Sequence, residues 1–217
     1  SNAEAKSILS EEFRNKLGKN CWYHGSNQVF DSWKIPPPPK PDEEFLLPHE
    51  CAIFFTSNLD YAKRAGSKTA RVAISKDSNI LDMTENYDES EKLRLLLEQH
   101  DLMSKMLNIQ HDFWHEGWKT GDVLRVAFDD PIVDKHMKDV ALNLSERSGI
   151  PLMEANLVIQ HNSSRGLIEL ICKSAKELGF DALYGFEVDR HSDANKKIAQ
   201  PWLAVFSSNI VSAPEWF

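Results

Sequence analysis

The sequence predicts an α+β protein. Two observations carry that prediction. Short runs rich in aromatic and β-branched residues lie toward both ends of the chain, and helical periodicity fills the middle. Turn and cap residues punctuate the borders between these runs.

The elements follow in order. Ser1-Asn2-Ala3 reads as an expression scar, leaving a single domain over 4–217. Residues 4–19 are polar and charged and predict a short leading helix. Residues 20–24 form a strand ended by Gly25-Ser26. The run Pro36-Pro37-Pro38-Pro39-Lys40-Pro41 is a stiff loop, because proline lacks an N–H and fixes φ. Residues 51–56 form a second strand, and Ser57 or Asn58 caps a short helix over 59–65, closed by Gly66. Residues 69–74 form a third strand, with Val72 and Ile74 on one face. A turn at Asp77-Ser78-Asn79 leads to Ile80-Leu81-Asp82.

The middle is helical. Leu93, Leu95, Leu96 and Leu97 lead into Leu102, Met103, Met106 and Leu107. Asp130-Pro131 opens a helix that runs toward Gly149. Ser163-Ser164 caps an amphipathic helix over 167–178, stopped by Gly179. Strands return at 181–186 and 202–206, separated by a charged loop over 189–197. Residues 84–162 therefore behave as a helical insertion within the domain.

Composition narrows the function. The 217 residues are 41% hydrophobic with 6 Trp and 11 Phe, which is enough to bury a core. No apolar run approaches the roughly 20 residues of a membrane span. A net charge of −8 argues against nucleic-acid binding through a dominant basic face. Cys21, Cys51 and Cys172 are widely spaced with no CxxC, so neither a disulfide framework nor a zinc knuckle is expected. With no signal peptide visible, a reducing, cytoplasmic location is the expectation, with delivery into another cell left open.

Several short motifs carry chemistry. Tyr23-His24-Gly25-Ser26 puts an imidazole beside a backbone without a Cβ, which lets a planar ligand approach the peptide group. The alternative is a strand that merely ends in a turn. Phe54-Phe55-Thr56 offers aromatics to a base or ring, or to the core. His111 and His115 stand at i, i+4, but the HExxH order and a nearby Cys are both missing, so no metal site is expected. No phosphate loop, GxGxxG or GxSxG occurs. Cys172 falls on the apolar side of a helix, as an inert buried thiol would.

The order of these signals resembles the ADP-ribosyltransferase superfamily, which includes poly(ADP-ribose) polymerases, rifamycin-modifying enzymes and bacterial and phage toxins. Tyr23-His24-Gly25-Ser26 comes first, then Ile53-Phe54-Phe55-Thr56-Ser57 with a short helix. A strand ending at Leu81-Asp82 follows, and finally Leu203-Ala204-Val205-Phe206. The resemblance covers about half the chain, at its two ends. It implies a split pair of small antiparallel sheets clamping NAD, which is the substrate. By the resemblance, His24 binds the adenosine-side ribose, the Gly25 backbone holds the nicotinamide carboxamide, and Ser26 assists. The loop over 36–50 lies on the nucleotide.

The chain departs from the pattern in two places. Arg64 and Ala65 stand where a stacking Tyr is usual; Tyr61 or Phe54 would take its role. Trp202 stands at the usual catalytic Glu, with Gln200 two residues earlier on the same strand face. Asp82 matches the Asp of the rifamycin-modifying type, and Glu187 and Asp189 are further carboxylates. The catalytic candidates are therefore Gln200, Asp82 and Glu187, and the cofactor-binding candidates are His24, Gly25, Ser26, Phe54 and Tyr61.

The activity implied is mono-ADP-ribosyl transfer from NAD to a protein or small-molecule acceptor, or NAD hydrolysis. The alternatives are an inactive module of the same fold that binds NAD, ADP-ribose or a protein, an RNA 2′-phosphotransferase relative, which the charge disfavours, and a plain α+β domain.

Overall fold

Two small sheets and a helical layer build the molecule. The computed structural model describes residues 9–40, 43–100, 105, 111–125, 130–189 and 197–217. The scar residues, Pro41, Leu102, Met103, Met106, Leu107 and most of the charged loop (190–196) lie outside the described residues.

The first element among the described residues is α1 (Glu11–Lys16), capped by Ser10, whose Oγ accepts from the Phe13 amide. Sheet one is antiparallel, with β1 (Trp22–Ser26) and β7 (Glu215–Trp216) flanking β3 (Lys68–Val72). Sheet two has the order β2 (Ile53–Phe55), β6 (Ala199–Val205), β5 (Ala182–Val188), β4 (Ile80–Asp82). The class is mixed α+β with two sheets. Sheet two is not wholly antiparallel: β4 runs parallel to β5. A parallel neighbour needs a long crossover, and the helical segment supplies it.

That segment contains α3 (Tyr87–Leu97), α4 (His111–Thr120), α5 (Pro131–Ser148) and α6 (Leu152–Glu177). Asp130 caps α5 by accepting from the Ile132 amide, and Gly149 ends it with φ of 72°. Ser163 and Ser164 do not begin a helix; they lie inside α6, which starts after Pro151. The Ser163 hydroxyl donates back to the Ile159 carbonyl at 2.8 Å, so it joins the helix rather than capping one. Residue 162, the expected end of the insertion, is also inside α6.

Sheet two is buried on both faces because its strands alternate between two cores. Ile53, Phe55, Leu203, Val205 and Tyr184 face sheet one, against Trp22, Val72 and Ile74. Leu81, Leu183, Trp202 and Ala204 face the helices, against Trp114, Trp118 and Ile171. Gly185 makes room for Trp118 of α4. A Cβ there would lie 2.5 Å from the Trp118 ring, which is fully buried. Among the described residues, no helix is long and apolar enough to cross a membrane.

Candidate functional site

The two sheets meet at one isolated bridge, Tyr23 with Thr56, whose amides exchange hydrogen bonds at 2.8 and 2.9 Å. Beside this bridge is a cleft of about 320 Å³. Its walls come from β1, β2, β5, β6, the loop residues Lys40, Glu43 and His49, α6 and a short helix, α2 (Leu59–Lys63). Asn58 sets the direction of α2, since its side chain accepts from the Tyr61 amide at 3.1 Å.

His24 stands in the cleft wall. Its Nδ1 lies 2.7 Å from the Phe54 carbonyl, which can only accept, so Nδ1 carries the proton. Burial pushes the His24 pKa down; the Phe54 carbonyl opposes this and Lys40 adds to it. The ring is therefore neutral at pH 7, and its Nε2 is an acceptor suited to a hydroxyl such as a ribose O–H. An edge-on contact to Trp33 (5.2 Å) and a tilted one to Phe55 (5.8 Å) pack against the ring.

Gly25 lines the same wall, but packing alone already requires it. A Cβ at this position would lie 2.2 Å from the Ala62 carbonyl oxygen and 2.9 Å from the Ala65 Cβ. The missing side chain is what lets α2 lie against β1. Ser26 sits at the strand end, outside the lining of the cleft, and its hydroxyl accepts from the Gln28 amide. Phe54 forms an aromatic side of the cleft, with His49 edge-on at 4.7 Å and Trp202 stacked at 5.6 Å.

Two carboxylates line the cleft among the described residues, Glu43 and Glu187, and Glu187 is the one on the strand. The Tyr61 hydroxyl donates to its Oε1 at 2.8 Å. On the strand, Glu187 pairs directly with Gln200, so the two side chains share one face. Gln200 is nevertheless turned to another task. It is 6% exposed, accepts from Asn58 Nδ2 and donates to Asp189, both at 2.8 Å. Arg64 completes the chain by donating to Asp189 at 2.7 Å. Asn58 and Arg64 are the two caps of α2, so this network fastens both ends of the helix to the β5–β6 ribbon.

Strand parity separates Asp82 from this group. Asp82 pairs with Tyr184, three residues from Glu187 and hence on the opposite face of the sheet. Asp82 is buried and accepts from the Thr84 amide (2.9 Å) and hydroxyl (2.6 Å), which makes it the organiser of the turn after β4. Burial raises its pKa, against the lowering by the Thr84 bonds. The structure thus brings His24, Gly25, Phe54, Tyr61 and Glu187 together at one cleft. It leaves Ser26, Gln200 and Asp82 out of the lining.

Sequence reasoning missed the far wall. That wall is Arg165 and Ile168 of α6; Lys40, Glu43 and His49, which also line the cleft, belong to the segment over 36–50 already expected beside a nucleotide. No local pattern marks a helix-interior arginine as a cleft residue. Cys51 lies beside Glu169, and burial with that carboxylate pushes its thiol up to about 11, so it is no nucleophile near neutral pH. Cys172 is fully buried, and burial holds its thiol well above the usual range. The His111 side chain lies outside the described residues. Among the described residues no group of three or more His, Cys, Asp or Glu could hold a metal ion.

No family model, curated protein or solved structure matches the chain.

Proposed function

We propose that the cleft binds NAD and that the chain breaks the nicotinamide–ribose bond, as a mono-ADP-ribosyltransferase or NAD glycohydrolase of the ADP-ribosyltransferase type. One observation carries this reading: His24, with Nδ1 held by the Phe54 carbonyl, and the Tyr61–Glu187 pair line one cleft beside the bridge that joins the two sheets. The order of motifs along the chain supports it.

The chemistry follows from these groups. The C–N bond to nicotinamide breaks with its electron pair leaving on the ring nitrogen, and positive charge builds on the ribose. A carboxylate beside that ribose stabilises the charge, as in glycoside cleavage, and a shielded cleft strengthens the effect. Glu187 takes this role, with the Tyr61 hydroxyl holding its orientation. His24 Nε2 accepts from a ribose hydroxyl. The acceptor, a protein or small-molecule nucleophile or water, then bonds to the ribose carbon and gives up a proton.

NAD labelled in its nicotinamide tests this. The wild type should release the label, His24→Ala should stop the release, and Glu187→Gln should slow it about 10²–10³-fold. A second reading, an NAD- or ADP-ribose-binding module, draws support from Gln200, whose amide is committed to Asn58 and Asp189. NAD that raises thermal stability but is never consumed, even at high enzyme concentration, would select that reading.

A further inference from the structure

The far wall of the cleft contains a cation whose anion seat is filled by the chain itself. Arg165 of α6 is 15% exposed at its side chain and faces the cleft. Its Nη1 and Nη2 donate to the two carboxylate oxygens of Glu43, each at 2.9 Å. Nη1 also donates to the Leu47 carbonyl at 2.8 Å. This two-pronged geometry receives a phosphate as readily as a carboxylate. Lys40, on the same loop, lines the same cleft and adds a second positive charge.

The loop does not depend on Glu43 to stay in place. The Leu47 amide donates to Asn162 at 2.7 Å, and Asn162 Nδ2 donates to the Phe45 carbonyl at 3.0 Å. The amides of Glu50 and Cys51 donate to Glu169 at 3.1 and 3.0 Å. Glu43 can therefore leave Arg165 while these four bonds keep the loop on α6.

We propose that Arg165 and Lys40 form a diphosphate seat in the cleft, and that Glu43 is a built-in competitor which the diphosphate of a dinucleotide displaces from Arg165. The proposal rests on the NAD reading, which supplies the dinucleotide. No covalent bond changes; one ion pair is exchanged for another. An uncharged nucleoside cannot make that exchange, so the seat favours diphosphate-bearing ligands and the free cleft is held partly closed to anions.

Calorimetric titration of the whole chain with ADP-ribose, inorganic pyrophosphate and adenosine tests this. Glu43→Gln should bind both diphosphates about tenfold more tightly and leave adenosine unchanged. Arg165→Met should weaken both roughly 10- to 100-fold, again without affecting adenosine, and should erase the gain when combined with Glu43→Gln. Arg165→Lys, which keeps the charge but loses the fork, should fall between and guards against a folding defect in the Met variant. Unchanged or weaker diphosphate binding by Glu43→Gln would overturn the proposal. So would an equal loss of adenosine and ADP-ribose binding in Arg165→Met. Nicotinamide release by the wild type, with unaltered diphosphate affinities in both variants, would remove the seat and leave the NAD reading standing. A wild type that binds none of NAD, ADP-ribose and pyrophosphate would remove both.

Discussion

Gly25→Ala separates two reasons for a glycine at this point of β1. The added Cβ would lie 2.2 Å from the Ala62 carbonyl oxygen, a backbone atom inside α2, and 2.9 Å from the Ala65 Cβ. Real Cβ contacts essentially never fall below 3.0 Å, so α2 must withdraw by about 0.8 Å or more, and a close-packed interior passes that shift on. The helix carries Tyr61, whose 2.8 Å bond to Glu187 would stretch to the edge of hydrogen-bond range. It is also tied at both caps to Gln200 and Asp189, so it cannot swing freely. Overpacking typically costs about 1–3 kcal/mol, and a backbone obstacle places this case in the upper half. Losing the Tyr61 bond adds about 1 kcal/mol. The sum of about 3 kcal/mol corresponds to a fall in Tm of roughly 6–12 °C for a chain of this size. Urea unfolding at 25 °C, with the slope compared to the wild type, measures it. A variant with wild-type stability that has lost only NAD binding would refute the packing argument and restore the view that the glycine exists for ligand approach.

Three further outcomes are expected. Arg64→Met leaves the Asp189 carboxylate, 1% exposed, without its cation; the cost in urea unfolding should be about 2–3 kcal/mol, below the full buried-pair value because Arg64 is 40% exposed, and Arg64→Lys should recover part of it. Asp82→Asn should keep nicotinamide release, because Asp82 lies on the opposite sheet face from Glu187; loss of release with intact folding would count against the strand register. The same variant should alter the pH dependence of stability. Because the folded pKa of Asp82 is raised, its contribution is fully present below the unfolded Asp value and is lost as pH rises through the folded one. Asp82→Asn should therefore gain on the wild type between acid pH and pH 7 in urea midpoints.

Much of the architecture is legible from local chemistry. Ile80-Leu81-Asp82 reads as a strand and is one, and the Asn58 and Asp130 caps act where their side chains can reach free amides. Ser163-Ser164 misled because a serine pair inside a helix reads like a cap when its back-bond to the preceding turn is unseen. The candidate site divides along the same line. His24, Phe54 and Tyr61 belong to short contiguous motifs near the two-sheet junction, so their grouping follows the chain. Cross-strand register is what separates Asp82 from Glu187, and Gln200 is told from its direct partner Glu187 only by what its amide meets. The Arg165–Glu43 pair joins residues 122 positions apart, through a loop laid across a helix, and no local signal encodes that.

The parallel pairing of β4 with β5 also bears on how the chain folds. The bond from the Asn79 amide to Asp181 at that junction closes a loop of 102 residues, whereas β5 and β6 are neighbours in sequence. Closing the longer loop costs about 2 kcal/mol more chain entropy than closing one ten times shorter. The β5–β6 ribbon can therefore form early and locally. The edge strand β4 joins it once the intervening helices have collapsed onto the Trp118–Gly185 contact and drawn the two ends together. Glu187 belongs to this local ribbon and His24 to the other sheet, so the groups of the cleft meet only when both sheets are in place.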